Sequence, residues 1–172
     1  MVTAPPRVPQ TGPVTPQLRS DRLVLVPVTP ATARAVVDGD LSGLRAGAEW
    51  PSAELVEGLS AALEHGGGLG WFVTLDGVVI GDCGVHGGVD ADGDVEIGYG
   101  IAAPYRRRGY ATEVIGALIR WAGEQPGFRR VVARRVLADN VGSRRALERS
   151  GFTVEETLGP YVVYAYPTRE GD

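Results

Sequence analysis

Lysine is absent: all 17 basic residues of the 172-residue chain are arginine. No lysine can act as a base or Schiff-base amine, and a triphosphate loop ending in Gly-Lys-Ser/Thr is excluded. Cysteine is reduced to Cys83, which excludes an internal disulfide framework and a cysteine-cage zinc site. The two histidines, His65 and His86, argue against a metal centre. No apolar run approaches the ~20 residues of a membrane span. The amino terminus, Met1-Val2-Thr3-Ala4-Pro5-Pro6-Arg7, lacks the basic-then-apolar order of a secretion signal. A cytoplasmic, metal-free protein is expected. What is present is globular: 44% hydrophobic and 22% charged residues, at a length that suits one domain.

The net charge of −4 is unevenly spread. Residues 1–105 hold 5 Arg against 13 acids, whereas residues 106–149 hold 11 Arg against 4 acids. A local basic block in an acidic chain points to a compact polyanion, not to nucleic acid or a membrane surface.

Residues 1–17 contain Pro5, Pro6, Pro9, Pro13 and Pro16 and read as a loose arm. The single domain is expected over 18–172. Arg22 to Val28 alternates as a first strand. Thr29-Pro30 places a cap and an N1 proline before a short helix to about Asp38. Ser52 opens a second helix, with Leu55, Leu59 and Leu63 on one face, that ends at Gly66. Trp71–Leu75 and Val78–His86 flank Asp76-Gly77 as a hairpin. The acidic run Asp90–Asp94 reads as a solvated turn. Val95 to Ile101 is a strand whose Gly98 and Gly100 suggest a bulge or a close approach. Ala111, Val114, Ile115, Leu118, Ile119 and Ala122 mark one buried stripe of a helix over 109–123. A strand over 130–137, a helix from the Asn140 cap to Ser150, and strands over 152–157 and 161–166 complete an α/β domain with a mixed sheet.

The chemistry concentrates where the strand ending at Ile101 meets that long helix. The loop delivers Arg106, Arg107, Arg108, Gly109, Tyr110, Ala111 and Thr112 to the helix start. The first N–H groups of a helix have no internal partner, and the dipole favours an anion there. Gly109 and the small Ala111 let oxygens approach the backbone, and arginines add forked donors. Each ingredient contributes only ~0.3–2 kcal/mol, so an anion site needs several together. Gly98-x-Gly100-x-x-Ala103 matches a dinucleotide fingerprint by letter, but Pro104 and three arginines separate it from the helix that such a motif should open.

Arg106-x-x-Gly109-x-Ala111 resembles the cofactor signature of the GNAT superfamily of acyl-coenzyme A N-acetyltransferases. Leu18 to Leu25 and Asp139 to Phe152 resemble the branch that includes acetylases of ribosomal-protein N-termini. The resemblance covers about residues 18–167. It implies the GNAT fold, with a mixed, mostly antiparallel sheet of about seven strands and about four helices. It implies acetyl-coenzyme A as cosubstrate, its pantetheine arm between splayed strands near Ile101. The pyrophosphate would lie on the N–H groups of Arg107 to Thr112. Asn140 and Ser143 would face the cofactor, and Arg144 or Arg145 would reach the 3′-phosphate. A homodimer is plausible on the same ground.

Direct acetyl transfer to an amine requires loss of a proton from an ammonium whose pKa is ~10.4 in a lysine-type group. Proximity supplies much of the acceleration, and a base adds ~10²–10⁴-fold. Glu96, between Val95 and Ile97 on the opposite face, is the first candidate base, acting through water. It reads equally as a surface strand carboxylate. His86 is second. Glu113, in the first helical turn, reads as structural, and Cys83 as a packed small residue. Many family members carry a tyrosine acid four residues before the Gly-Phe pair; Leu147 stands there. Tyr161, Tyr164 and Tyr166 read as ordinary strand aromatics. The resemblance implies that residues 38–64 form one wall of the acceptor cleft; their acids with Trp50 would then favour a cationic acceptor, a protein N-terminus or a small-molecule amine, and read otherwise as a solvated helix face. A non-catalytic acyl-coenzyme A sensor on the same fold is the alternative function.

Overall fold

The computed structural model describes residues 15–166, so most of the expected arm lies outside the described residues. Strands β1 (Leu18–Arg19) and β2 (Leu23–Pro27) are followed by helices α1 (Pro30–Val37) and α2 (Ala53–His65). Then come β3 (Trp71–Leu75), β4 (Val78–Val89), β5 (Asp94–Ile101) and a 3₁₀ turn over Ala103–Tyr105. Helix α3 (Tyr110–Gly123), β6 (Arg130–Leu137), α4 (Val141–Arg149), β7 (Thr153–Leu158) and β8 (Tyr161–Tyr166) complete the elements of the described residues. All eight strands form one sheet in the order β1-β2-β3-β4-β5-β6-β8-β7, antiparallel except between β5 and β6. The expected α/β architecture is present. The eighth strand is β1, two residues paired as Leu18↔Leu25 and Arg19↔Val24, too short to show periodicity.

Local chemistry accounts for the element ends. Asp76 and Gly77 both take positive φ, 50° and 78°, as a two-residue hairpin turn of matching twist requires. The Thr29, Ser52 and Asn140 side chains accept N–H groups at the starts of α1, α2 and α4. Helix α3 starts differently: Gly109 precedes it at φ 83° and supplies no side-chain cap.

Strand alternation sorts the core into two layers. On one face Leu25, Val73, Ile80, Val95, Ile97 and Val131 pack with Val114, Ile115 and Leu118 of α3 and Leu147 of α4. On the other, Phe72 and Val79 pack with Ala33 and Val36 of α1, with Leu59 of α2 and with Trp50, which precedes α2. Each fully buried Leu, Ile or Val contributes ~1.5–3 kcal/mol relative to exposure, so the larger layer fixes α3 firmly against β5.

Strands β5 and β6 pair only as Asp94↔Arg130, Val95↔Val131 and Glu96↔Val132. Beyond Glu96 they share no register, although β5 runs on to Ile101 and β6 to Leu137. The bulge expected at Gly98 and Gly100 is instead on β4, where the register shifts between His86 and Val89; Gly84↔Gly98 and Asp82↔Gly100 pair without interruption. The close approach is real: a Cβ on Gly98 would lie 2.9 Å from His86 Nε2.

The closed end of this wedge is held by charge. Asp94 is 2% exposed, which corrects the reading of its turn as merely solvated. Its Oδ1 accepts from Arg130 Nε at 2.8 Å, and its Oδ2 accepts from Arg130 Nη2 at 3.1 Å and Arg134 Nη2 at 2.7 Å. The Arg130 guanidinium is held in its charged form, chiefly by its bond to Asp94 and then by Glu155. Asp94→Asn leaves two cations without their shared anion. Because both guanidiniums keep solvent contact, the expected loss is ~2 kcal/mol. Urea unfolding checks it, with Asp92→Asn in the same exposed turn expected within ~0.5 kcal/mol of wild type.

Candidate active site

The open end of the wedge lies beside the start of α3. Arg107 has φ 62° and Gly109 φ 83°, so alternate peptides of the loop turn their N–H groups to one side. Among the described residues, no acceptor meets the backbone N–H of any residue over 107–112. The chain thus presents a row of unspent donors at the positive end of a 14-residue helix. Arg106, Arg107 and Arg108 are exposed around it.

A pin from β2 holds this loop. Arg22 Nη2 donates to the Arg108 carbonyl at 2.7 Å, Nε donates to Glu113 Oε1 at 2.5 Å, and the guanidinium lies 4.5 Å above the Tyr110 ring. Glu113 Oε2 accepts from Ser20 Oγ at 2.6 Å and Arg22 N at 3.1 Å. Glu113 is therefore structural, as expected from its helix position. Burial pushes its carboxyl up, but the bonds from Ser20 and Arg22 outweigh burial and hold it below the usual range. The side chain of Tyr110 is in the core; only its backbone faces the loop.

The expected partners from other elements are distributed as follows. Ile101 ends β5, and its carbonyl accepts from Arg106 Nε at 2.7 Å. Ala111 and Thr112 lie in the first turn of α3, half-buried. Asn140 Oδ1 accepts from Ser143 N at 3.1 Å as the cap of α4. Ser143 Oγ lies 2.8 Å from Tyr99 Oη, a bond that ties α4 to the free stretch of β5. Arg144 donates to Tyr164 Oη at 3.1 Å and to the Ala138 carbonyl at 3.0 Å, whereas Arg145 is exposed. Three arginines of the basic block are engaged internally: Arg130, Arg134 and Arg135 face Asp94, Glu155, Asp90 and Glu96. Leu147, at the tyrosine-acid position, is fully buried. Burial pushes the Tyr99 hydroxyl up to about 12, with Ser143 opposing it and Tyr164 adding to it; it keeps its proton throughout the neutral range.

Glu96 sits where β5 leaves β6, on the face away from α3. Its oxygens lie 3.6 Å from Arg134 Nη1 and 3.6 Å from Arg135 Nε. His86 is its cross-strand neighbour and is exposed. Two rows further toward the open end, the same face carries Asp82, which the sequence reading did not single out. A lone carboxylate between Gly81 and Cys83 in an otherwise apolar strand was the available signal. Burial, then the charge of Glu54, pushes its carboxyl up to about 7. Cys83 points to the opposite face in the core, its thiol raised by burial and then by Asp82.

Comparison with known proteins bears on this wedge, loop and helix directly. Residues 22–153 match the family model described as acetyltransferase (GNAT) domain, well over half of the chain. The chain belongs to the GNAT acetyltransferase family. It is 29% identical over 136 residues to the uncharacterized N-acetyltransferase YjdG of Bacillus subtilis strain 168, covering 74% of this chain and 80% of that protein. An acetyltransferase from Agrobacterium tumefaciens C58 superposes with a TM-score of 0.61 at 27% identity, over 88% of this chain and 94% of that one. Mycobacterium smegmatis RimJ shares the fold, with a TM-score of 0.64 at 23% identity over 90% of this chain and 87% of its own. The resemblance read from the signature loop is thereby confirmed, and the GNAT acetyltransferase is an acetyl-transfer enzyme.

The Glu113 pin has a pH signature. A carboxyl held low in the folded state stabilises it above the usual carboxylate range, and that stability disappears as pH falls through the folded value. Glu113→Gln is therefore expected to lower the melting temperature at pH 7. The gap to wild type should narrow steadily toward pH 3, as thermal unfolding across that range would record.

Proposed function

We propose that this acetyltransferase uses acetyl-coenzyme A to acetylate a primary amine, a protein N-terminus or a small molecule, by direct transfer. The observation that carries this reading is the uncapped start of α3. Six consecutive backbone N–H groups, two of them at positive φ, suit a diphosphate, and nothing else among the described residues uses them. A side chain at Gly109 would have to hold φ 83° and would meet Arg22 Nη2 at 3.3 Å. Coenzyme A fits this chemistry. RimJ, which shares the fold, was solved with CoA-disulfide, and the similarly folded MccE with acetyl-CoA and AMP.

In this reading Arg107 to Thr112 hold the diphosphate through backbone N–H groups, and Arg106 lies at the mouth of the wedge. The free edge of β5 up to Ile101 receives the pantetheine arm, with Asn140 and Ser143 across the gap on α4. Arg144 or the exposed Arg145 serves the 3′-phosphate. The bound cosubstrate supplies an acetyl thioester and a thiol leaving group. Glu96 acts as base through water at the apex, on the face away from α3. Leu147 offers no proton, so the thiolate leaves unassisted by that position. The protein works without metal, in the cytoplasm, with no nucleic-acid or membrane partner; a homodimer is compatible with the exposed edge strand β7.

Thermal shift and thiol release test the reading together. Coenzyme A should raise the melting temperature of wild type, and NAD should not. Arg106→Ala should weaken coenzyme A binding about tenfold, the loss of one charge-assisted contact. Glu96→Gln should lower turnover ~10²-fold with coenzyme A affinity unchanged. Coenzyme A binding without thiol release from any amine would favour the sensor, and no coenzyme A binding would end both readings.

A further inference from the structure

The face of β4 and β5 away from α3 carries few side chains at the open end of the wedge, and the His86 ring covers Gly98. Gly84 pairs with Gly98, and Asp82 with Gly100. Over these four positions Asp82 is the single functional side chain. Its Oδ1 lies 3.7 Å from the point where a Cβ on Gly100 would stand, so the carboxylate leans over the glycine of β5. That glycine is one residue from Ile101, where β5 is free of β6. Phe72 of β3 is the other cross-strand neighbour of Asp82, and Trp50 packs edge-on against it at 5.0 Å. The Trp50 indole N–H is buried without a partner among the described residues and does not bond Asp82. Among the described residues Asp82 makes no hydrogen bond and no ion pair.

The Asp82 oxygens keep solvent access, since among the described residues Trp50 Nε1 is the one fully buried side-chain polar atom without a partner; water satisfies the carboxylate in the free protein, and a cationic ligand can replace that water. The charged group that α2 turns toward it is a second carboxylate, Glu54. Phe72 and Gly100 bring no charge from β3 and β5, and Cys83 points away. Glu96 lies on the same face two rows along, ~13 Å off at strand spacing, whereas the His86 ring leans over Gly98, one row from Asp82. The carboxylates near Asp82 call for a cation, and among the described residues no arginine or histidine comes within ion-pair distance of it. Glu96, by contrast, already has Arg134 and Arg135.

We propose that Asp82 is a catalytic residue that receives the acceptor amine as its ammonium and takes one proton from it. The inference rests on the acetyltransferase reading and deepens it: the acceptor enters as a cation over the glycine face. One N–H bond of the ammonium breaks, and one O–H bond forms on Asp82. The nitrogen keeps the electron pair, and the proton then leaves to solvent water. No oxidant or reductant is involved. Glu96 acts at a distance through water, whereas Asp82 touches the amine. A carboxyl near 7 is matched to this task. It lies about one unit below an α-amino group and about three below a lysine-type amine, so α-amines lose their proton to it far more readily.

The test separates ammonium binding from acetyl transfer. Thermal shift with alaninamide, and propionamide as the uncharged control, is run without coenzyme A on wild type, Asp82→Asn and Glu96→Gln. Alaninamide should stabilise wild type and Glu96→Gln at pH 7.5, and not Asp82→Asn. A carboxyl raised in the folded state weakens stability as pH rises from about 4 to about 7, so Asp82→Asn should melt higher than wild type at pH 8 and level with it at pH 4. That comparison also proves the variant folded. In thiol-release assays Asp82→Asn should lose ~10²-fold in kcat/KM for alaninamide, together with the limb that rises through pH 7, at unchanged coenzyme A affinity. Equal amine shifts in wild type and Asp82→Asn, or kcat/KM within threefold of wild type, overturn the proposal while leaving the acetyltransferase reading intact. An Asp82-dependent amine shift without thiol release from any acceptor supports the ammonium site and removes the acetyltransferase reading.

Discussion

The ladder between β5 and β6 stops after three residue pairs, and the site exists because it stops there. A parallel pair that continued to Ile101 would consume the edge of β5 and bring β6 against the start of α3. The ladder is short because its two sides are built for different neighbours. Beyond Glu96, β5 stays in strict register with β4 through small residues, whereas β6 is carried by β8 and bulges between Ala133 and Val136. Asp94 holds the two strands at the closed end through Arg130 and Arg134. A buried carboxylate with two arginines is an expensive fastener by itself. It makes sense at a point where backbone hydrogen bonding is about to end and the angle between strands must still be fixed.

The second constraint is the start of α3. Three helices of this chain satisfy their first N–H groups with their own side chains, and α3 leaves them open. An uncapped helix forgoes ~1 kcal/mol, and Arg107 at positive φ adds strain. The Arg22–Glu113–Ser20 cluster offsets this from the far side, bonding the loop through the Arg108 carbonyl so that the N–H groups stay free. The core performs the same task from below, through Tyr110, Val114 and Ile115.

What was legible in the sequence follows from how local each signal is. The stripe of α3, the Asp76-Gly77 turn and the Thr29, Ser52 and Asn140 caps are written within a few residues, and the structure reproduces them. The signature loop was legible for the same reason, since Gly109 and Ala111 act through the backbone they belong to. Pairings across the chain were not. Arg22 and Glu113 are ninety-one residues apart in sequence, and Asp94 reads as solvated until Arg130 and Arg134 arrive beside it. Asp82 escaped notice because a carboxylate in an apolar strand declares its character only when the facing residue on β5 is known to be glycine. The bulge was misplaced to Gly98 and Gly100 because a glycine that admits a neighbouring side chain and a glycine that breaks a ladder look alike in sequence; His86 over Gly98 shows it to be the former.

These features divide the wedge electrostatically. On the α3 side lie free N–H groups, a helix dipole and three exposed arginines, all favouring an anion. On the α2 side lie Asp82 and Glu54, favouring a cation, with glycines between. Opposite potentials on two faces of one sheet guide unlike substrates to different entrances and disfavour their exchange. A direct transfer requires that order: both reactants present, each held by its own charge, with only the uncharged reacting groups meeting at the sheet. The glycines of β5 are the physical condition for such a meeting, because they leave no side chain where the two faces communicate. The same division explains why a basic block of net +7 can sit in an acidic protein without making it a general polyanion binder. Three of its arginines, Arg130, Arg134 and Arg135, are spent on Asp94, Asp90, Glu96 and Glu155, and three more, Arg106 to Arg108, are concentrated on one loop.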